Sequence, residues 1–113
     1  MPPILSVRFY RTTAGKEPVR DWLIDQISPR ARKAIGADIK TVQFGWPMGM
    51  PVVRKLEAGL WEVRSSIPEG IARVLFTIID AEMVLLHGFV KKAQATPKAD
   101  LDLAIVRMKE VKA

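Results

Sequence analysis

Three runs of β-forming residues fall within about forty positions, joined by connectors too short to hold a helix. They cover 52–67, 71–79 and 83–90, with only "IPEG" and "DAE" between them. The first run is open to a break into two strands at Ala58 and Gly59. Connectors this short send each strand back antiparallel to the one before it. The spacing therefore predicts a meander of three to four strands, and the rest of the chain must pack on it.

Upstream, residues 4–10 alternate, with Leu5, Val7 and Phe9 on one side and Ser6, Arg8 and Tyr10 on the other, as a half-buried strand does. The period then lengthens. Pro18 suits a first helical turn, and Val19, Trp22, Leu23 and Ile27 make an apolar stripe at helical spacing. Ser28 and Pro29 read as an N-cap and first-turn pair for a second helix, with Ala31, Ile35, Ile39 and Val42 inward until Gly45 and Pro47 stop it. The turn-rich "GWPMGMP" leads into the meander. Thr96 and Pro97 start a last helix that carries Leu101, Ala104, Ile105 and Met108 on one face. The order predicts an α+β fold: an N-terminal strand and two helices, an antiparallel meander and a C-terminal helix, with the helices on one face of the sheet. At 113 residues, 49% of them hydrophobic, the chain has material for one core, so a single domain over 1–113 is expected.

Composition narrows the chemistry. The absence of cysteine removes disulfides, thiolate nucleophiles and Cys-ligated zinc, and points to a reducing, cytoplasmic setting. A single histidine disfavours a metal centre, and neither a metal nor a cofactor is expected. "MPPILSVRFYR" has no secretory pattern, and no stretch approaches the length of a membrane span, so no membrane association is expected. Eighteen Lys and Arg against twelve Asp and Glu give +6, a balance suited to a polyanionic partner such as nucleic acid.

The cations of the meander are Arg54, Lys55, Arg64, Arg73, Lys91 and Lys92, with His87 among them. If Ile67 to Gly70 form the first turn, Ser66 faces Ile71 and Arg64 stands opposite Arg73, with Cβ atoms roughly 5 Å apart. If Ile79 then faces Met83, His87 pairs with Leu75 and shares a sheet face with Arg73. Each residue also has a plainer role open to it. His87 can be a hydrogen-bonded structural histidine, and Lys91 and Lys92 can be lysines that guard a strand end. Arg73 can be tied to Glu62 rather than exposed in a solvated groove. Strand arginines flanked by Val, Leu and Ile still require a partner or a groove. Trp61 reads as core, Trp22 as part of the helix stripe and Trp46 as part of the loop.

"GLWEVR", "ARVLF" and "LLHGFVKK", followed by Thr-Pro and a terminal helix, resemble the phage-derived, HigB-like branch of the RelE/ParE toxin superfamily. The likeness extends to the N-terminal strand and helix pair with "GKEPVRDWL". Ala93 and Ala95 stand where that family usually has a threonine and a third lysine. The resemblance implies a RelE-like domain acting as the toxin of a type II toxin–antitoxin pair, a ribosome-dependent endonuclease of messenger RNA that inhibits translation. It implies a helix-turn-helix antitoxin as partner, in a heterotetramer, alongside the ribosome and mRNA. Metal-free RNA cleavage gathers negative charge on the phosphate oxygens, which cations must meet. Arg64 and Arg73 suit a phosphate clamp, Lys91 and His87 proton transfer, and Arg54, Lys55 and Lys92 the RNA backbone. Two other readings stay open: a ParE-like inhibitor of DNA gyrase, and a basic nucleic-acid-binding module without catalysis.

Overall fold

The computed structural model describes residues 2–91 and 95–113, and of Lys91 the backbone only. The elements are β1 (Ser6–Phe9), α1 (Pro18–Asp25), α2 (Pro29–Gly45), β2 (Val53–Glu57), β3 (Leu60–Ile67), β4 (Gly70–Ile79), β5 (Glu82–Lys91) and α3 (Lys98–Lys112). This is the expected α+β order, with the first β run broken at Ala58 and Gly59. The sheet runs β1-β5-β4-β3-β2; its last four strands are antiparallel, and β1 lies parallel to β5.

Local signals explain the helices. Pro18 occupies the first turn of α1, where its missing N–H costs nothing. Ser28 caps α2, its Oγ accepting from the Ala31 N–H at 3.2 Å, and Ala31, Ile35, Ile39 and Val42 turn inward as the stripe predicts. Arg32 closes the α1–α2 corner, donating from Nε to Leu23 O at 2.8 Å and from Nη2 to Ile27 O at 3.2 Å.

The helices do not share one face of the sheet, contrary to expectation. α1 and α2 cover Val63, Ala72, Val74, Phe76, Met83 and Leu85, whereas α3 covers Leu60, Leu75, Val84 and Leu86 on the other side, together with Tyr10. The reason lies in β4 and β5. "VLF" and "MVLL" are consecutive apolar residues, and adjacent strand positions point to opposite faces. Both faces therefore need cover, and α3 supplies the second.

Register differs from expectation in two places. Ile67 pairs with Gly70, so the first turn holds only Pro68 and Glu69, but Arg64 still stands opposite Arg73. Ile79 pairs with Glu82 rather than Met83, a shift of one residue. Asp80 makes that tight turn feasible at φ 55°, a left-handed conformation that Asp tolerates. A β-bulge then lets Leu86 enter without a partner between Phe76↔Leu85 and Leu75↔His87. The bulge cancels the shift, so His87 lies beside Leu75 on the face of Arg73 after all.

Candidate functional site

Two cross-strand rows on the α3 face bring the polar groups together. One runs Arg54, Glu62, Leu75, His87; the next runs Arg64, Arg73, Phe89. Alternation alone builds this pattern: Trp61 and Val63 go to the α2 side, and Glu62 and Arg64, between and after them, to the other. The start of α3 lies over the first row. Thr96 Oγ1 donates to Glu62 Oε1 at 3.1 Å, and His87 Nε2 donates to Asp100 Oδ1 at 2.6 Å. His87 also stacks on Phe89, ring centroids 5.6 Å apart.

Arg73 and Glu62 are both 0% exposed. The solvated groove expected around Arg73 is therefore not present at its side chain; strands β3 and β5 flank it and Glu62 is its diagonal neighbour. Burial, first of all, pushes the Arg73 guanidinium below its ordinary pKa; Glu62 opposes that shift, and Arg64 and then Arg54 reinforce it by repulsion. An arginine stays cationic through such a change, so the cluster holds a fixed positive charge beside a buried carboxylate. Glu62 Oε2 and Arg64 Nε are buried without a hydrogen-bond partner among the described residues. Arg54 and Arg64 are half-buried and carry the charge outward.

The structure thus brings together Arg54, Arg64, Arg73 and His87. Lys55 does not join them. It pairs with Trp61, whose ring belongs to the α2 side, and so it projects from the opposite face of the edge strand. Lys91 is the last residue of β5, opposite Ile71, which continues the strand to the edge of the cluster. Lys92 and Ala93 lie outside the described residues.

Sequence reasoning missed three members. Glu62 enters the sequence reading only as a tie for Arg73, although the alternation of "LWEVR" places it on the arginine face. Thr96 reads as a helix cap, but its hydroxyl goes to Glu62 and α3 has no side-chain cap. Asp100 gave a weaker signal: a carboxylate in a first helical turn has a sufficient local reason to be there in the helix dipole.

A model of the family described as phage-derived protein Gp49-like (DUF891) matches residues 22–109. The chain belongs to this family. The matched span takes in α2, the whole meander and nearly all of α3, and so every residue of the cluster. The Gp49-like family is commonly associated with RelE-like toxins of toxin–antitoxin systems, and this chain fits that class at the coarse level. No curated protein matches the chain. Among the described residues, no helix of this Gp49-like protein is long and apolar enough to cross a membrane.

Proposed function

We propose that this Gp49-like protein is a toxin that cleaves messenger RNA on the ribosome without a metal. The observation that supports this most is the gathering of Arg54, Arg64, Arg73 and His87 on one sheet face beneath the start of α3. In the reaction the 2′-OH attacks its own phosphate, the 2′-O–P bond forms, the P–O5′ bond breaks, and the 5′-oxygen leaves with a proton. Arg64, half-buried and with its Nε unsatisfied among the described residues, holds the phosphate. Arg73 adds a fixed charge from below, where a low dielectric makes it count for more than in water. His87, held by Asp100, moves a proton to or from the reacting oxygens, with Lys91 as a second candidate. Arg54, on the same face, and Lys92 grip the RNA backbone; Lys55, on the opposite face, has no part in it. The natural partner is an antitoxin with an acidic segment that covers these cations, in a heteromeric complex.

Purified ribosomes carrying a defined message provide the test. We expect a cut in the message, with Arg64→Ala slower by a few hundredfold, about 3–4 kcal/mol of barrier, at a melting temperature within a few degrees of the parent. Arg73→Met, which keeps bulk and removes charge, should also slow cleavage per folded molecule. An Arg64→Ala protein that cuts as fast as the parent would refute the assignment. Pulse labelling after induction separates the gyrase reading, in which DNA synthesis stops before methionine incorporation.

A further inference from the structure

The outermost described pairing of β1 with β5 is Phe9 with Leu85, and Tyr10 donates its N–H to Leu85 O. β5 continues to Lys91. From Leu86 onward its outer edge has no strand partner among the described residues, because β1 and β4 are its only neighbours in the sheet. Native sheets usually guard such an edge with charge or proline, or keep it very short. Here the stretch reads His87, Gly88, Phe89, Val90, with no permanent charge until Lys91 closes it.

That edge forms the floor of a cleft of about 580 Å³, within the range of ligand-sized sites. Pro18 and Trp22 of α1, with Gln26 at its C-terminal cap, line one side, Leu103 and Arg107 of α3 the other. Trp22 lies against Gly88 so closely that a Cβ there would be 2.5 Å from its ring. Leu103 is 38% exposed, a large apolar side chain on the opposite wall. Arg107 donates from Nη1 to Leu86 O at 2.8 Å and lies over the Tyr10 ring, which fixes a cation at one end of the cleft.

We propose that an extended segment of a partner protein docks in this cleft as an added strand on β5. Leu86 O is taken by Arg107, but no strand lies against the outer edge of 87–90 among the described residues, and the backbone N–H and C=O groups of a strand edge select another main chain as their partner. From Leu86 to Val90 the edge spans about 13 Å, enough for roughly five residues. Both faces of such a strand would be covered, one by Trp22 and the other by Leu103, so it would be a continuous apolar run rather than an alternating one. Arg107, at the Leu86 end of the cleft, asks for an acidic residue at that end of the run, while Glu69 of the β3–β4 turn, which also lines the cleft, disfavours a second one near it. A second folded copy of this chain is a poor occupant, since each copy's edge is recessed between its own α1 and α3. The docked strand would lie across His87 and Phe89, which links this cleft to the polar cluster.

The test uses the full chain and a labelled peptide of about ten residues with an Asp-Glu head followed by consecutive Val, Ile and Leu. Fluorescence polarisation should show saturable binding, and amide exchange should slow at 87–90. Leu103→Glu and the milder Leu103→Ser should weaken binding at least about tenfold, a loss of 1.4 kcal/mol. Val106→Glu, on the same helix but outside the cleft, should not. A peptide with every second apolar residue changed to Ser should bind less tightly. The proposal fails if no saturable binding is seen, or if binding ignores both Leu103 variants. It also fails if the chain is a dimer that Leu103→Glu dissolves, the sign of a second copy in the cleft. Protection of 87–90 by an oligouridylate and not by the peptide would assign the cleft to RNA instead. None of these readouts depends on cleavage, so loss of the RNase reading leaves the peptide result standing.

Discussion

The two faces of this sheet are made by the same strands and do different things. On the α1–α2 side, β3, β4 and β5 present Val63, Ala72, Val74, Phe76, Met83 and Leu85 to two helices, and Trp46 and Trp61 close the layer edge-to-face at 5.0 Å. On the α3 side only half is apolar. Leu60, Leu75, Val84 and Leu86 meet Ala104 and Met108, and beyond them the same strands carry Glu62, Arg64, Arg73 and His87. A shift of one residue along a strand exchanges these surfaces. The contrast teaches that "LWEVR" and "ARVLF" each encode a core and a charged site at once, with successive residues assigned to opposite jobs.

Separating the two jobs by mutation is the strongest test of that contrast. Phe76 is fully buried on the α2 side and contacts the rings of Trp46 and Trp61. Phe76→Ala should cost about 3–5 kcal/mol, from lost transfer energy and the cavity left behind. Denaturant melts would measure it. The cleavage proposed above should, per folded molecule, stay near the parent value, because Phe76 shares no face with the arginines. An equal loss of activity per folded molecule would show that the two surfaces are coupled and break the comparison.

Gly88 gives a smaller and more local probe, since it sits back to back with His87. A Cβ at Gly88 would lie 2.5 Å from Cε3 and Cζ3 of Trp22, a rigid ring that must shift to admit it. Gly88→Ala should destabilise by about 1–3 kcal/mol through overpacking. The hydrogen bond from His87 to Asp100 should survive. As the chain has one histidine, its imidazole NMR signals report that contact without ambiguity. A large change in those signals would mean that displacing Trp22 twists β5 and carries the polar face with it.

Which parts of this division could be read beforehand follows from the range of the interactions. Helix boundaries were legible because Ser28, Pro29 and Pro18 act on their own neighbours. The opposition of Arg64 and Arg73 was legible because a short turn fixes the register nearby. The side taken by α3 is a tertiary choice, and a helical stripe does not say which face it meets. The unbroken apolar runs of β4 and β5 did carry that information, as a demand for two covered faces. The bulge at Leu86 left no mark: no glycine or proline signals it, and what it achieves is tertiary, since past the register of the two-residue turn it sends His87 and Phe89 to the α3 face and Gly88 and Val90 to the α1 side. Thr96 and Asp100 reach the site across 34 and 13 positions of chain, contacts no local pattern encodes.

The smallest expected effect tests the apolar half of the α3 face, where a polar contact at Glu110 ties down the helix end. Tyr10 is nearly buried, its hydroxyl donates to Glu110 Oε2, and Arg107 lies 5.1 Å from its ring centroid. The hydrogen bond to Glu110 first, then burial, then the Glu110 charge raise the Tyr10 pKa above 10.0, and Arg107 partly offsets them. The neutral phenol is thus the form that the fold prefers. A folded pKa above the unfolded one means that the stabilisation is complete below pH 10 and is lost as pH rises through the folded pKa. Tyr10 is the only tyrosine, so tyrosinate absorbance titrates it alone. The midpoint should lie above that of a free tyrosine, and Glu110→Gln, which keeps an acceptor and removes the charge, should bring it part of the way down. Glu110→Ala should bring it further, because it removes the hydrogen bond as well. A parent midpoint at the free value would mean that the end of α3 is loose on β1 and β5, and the division of the α3 face into a clamped apolar half and a charged half would then lose its boundary.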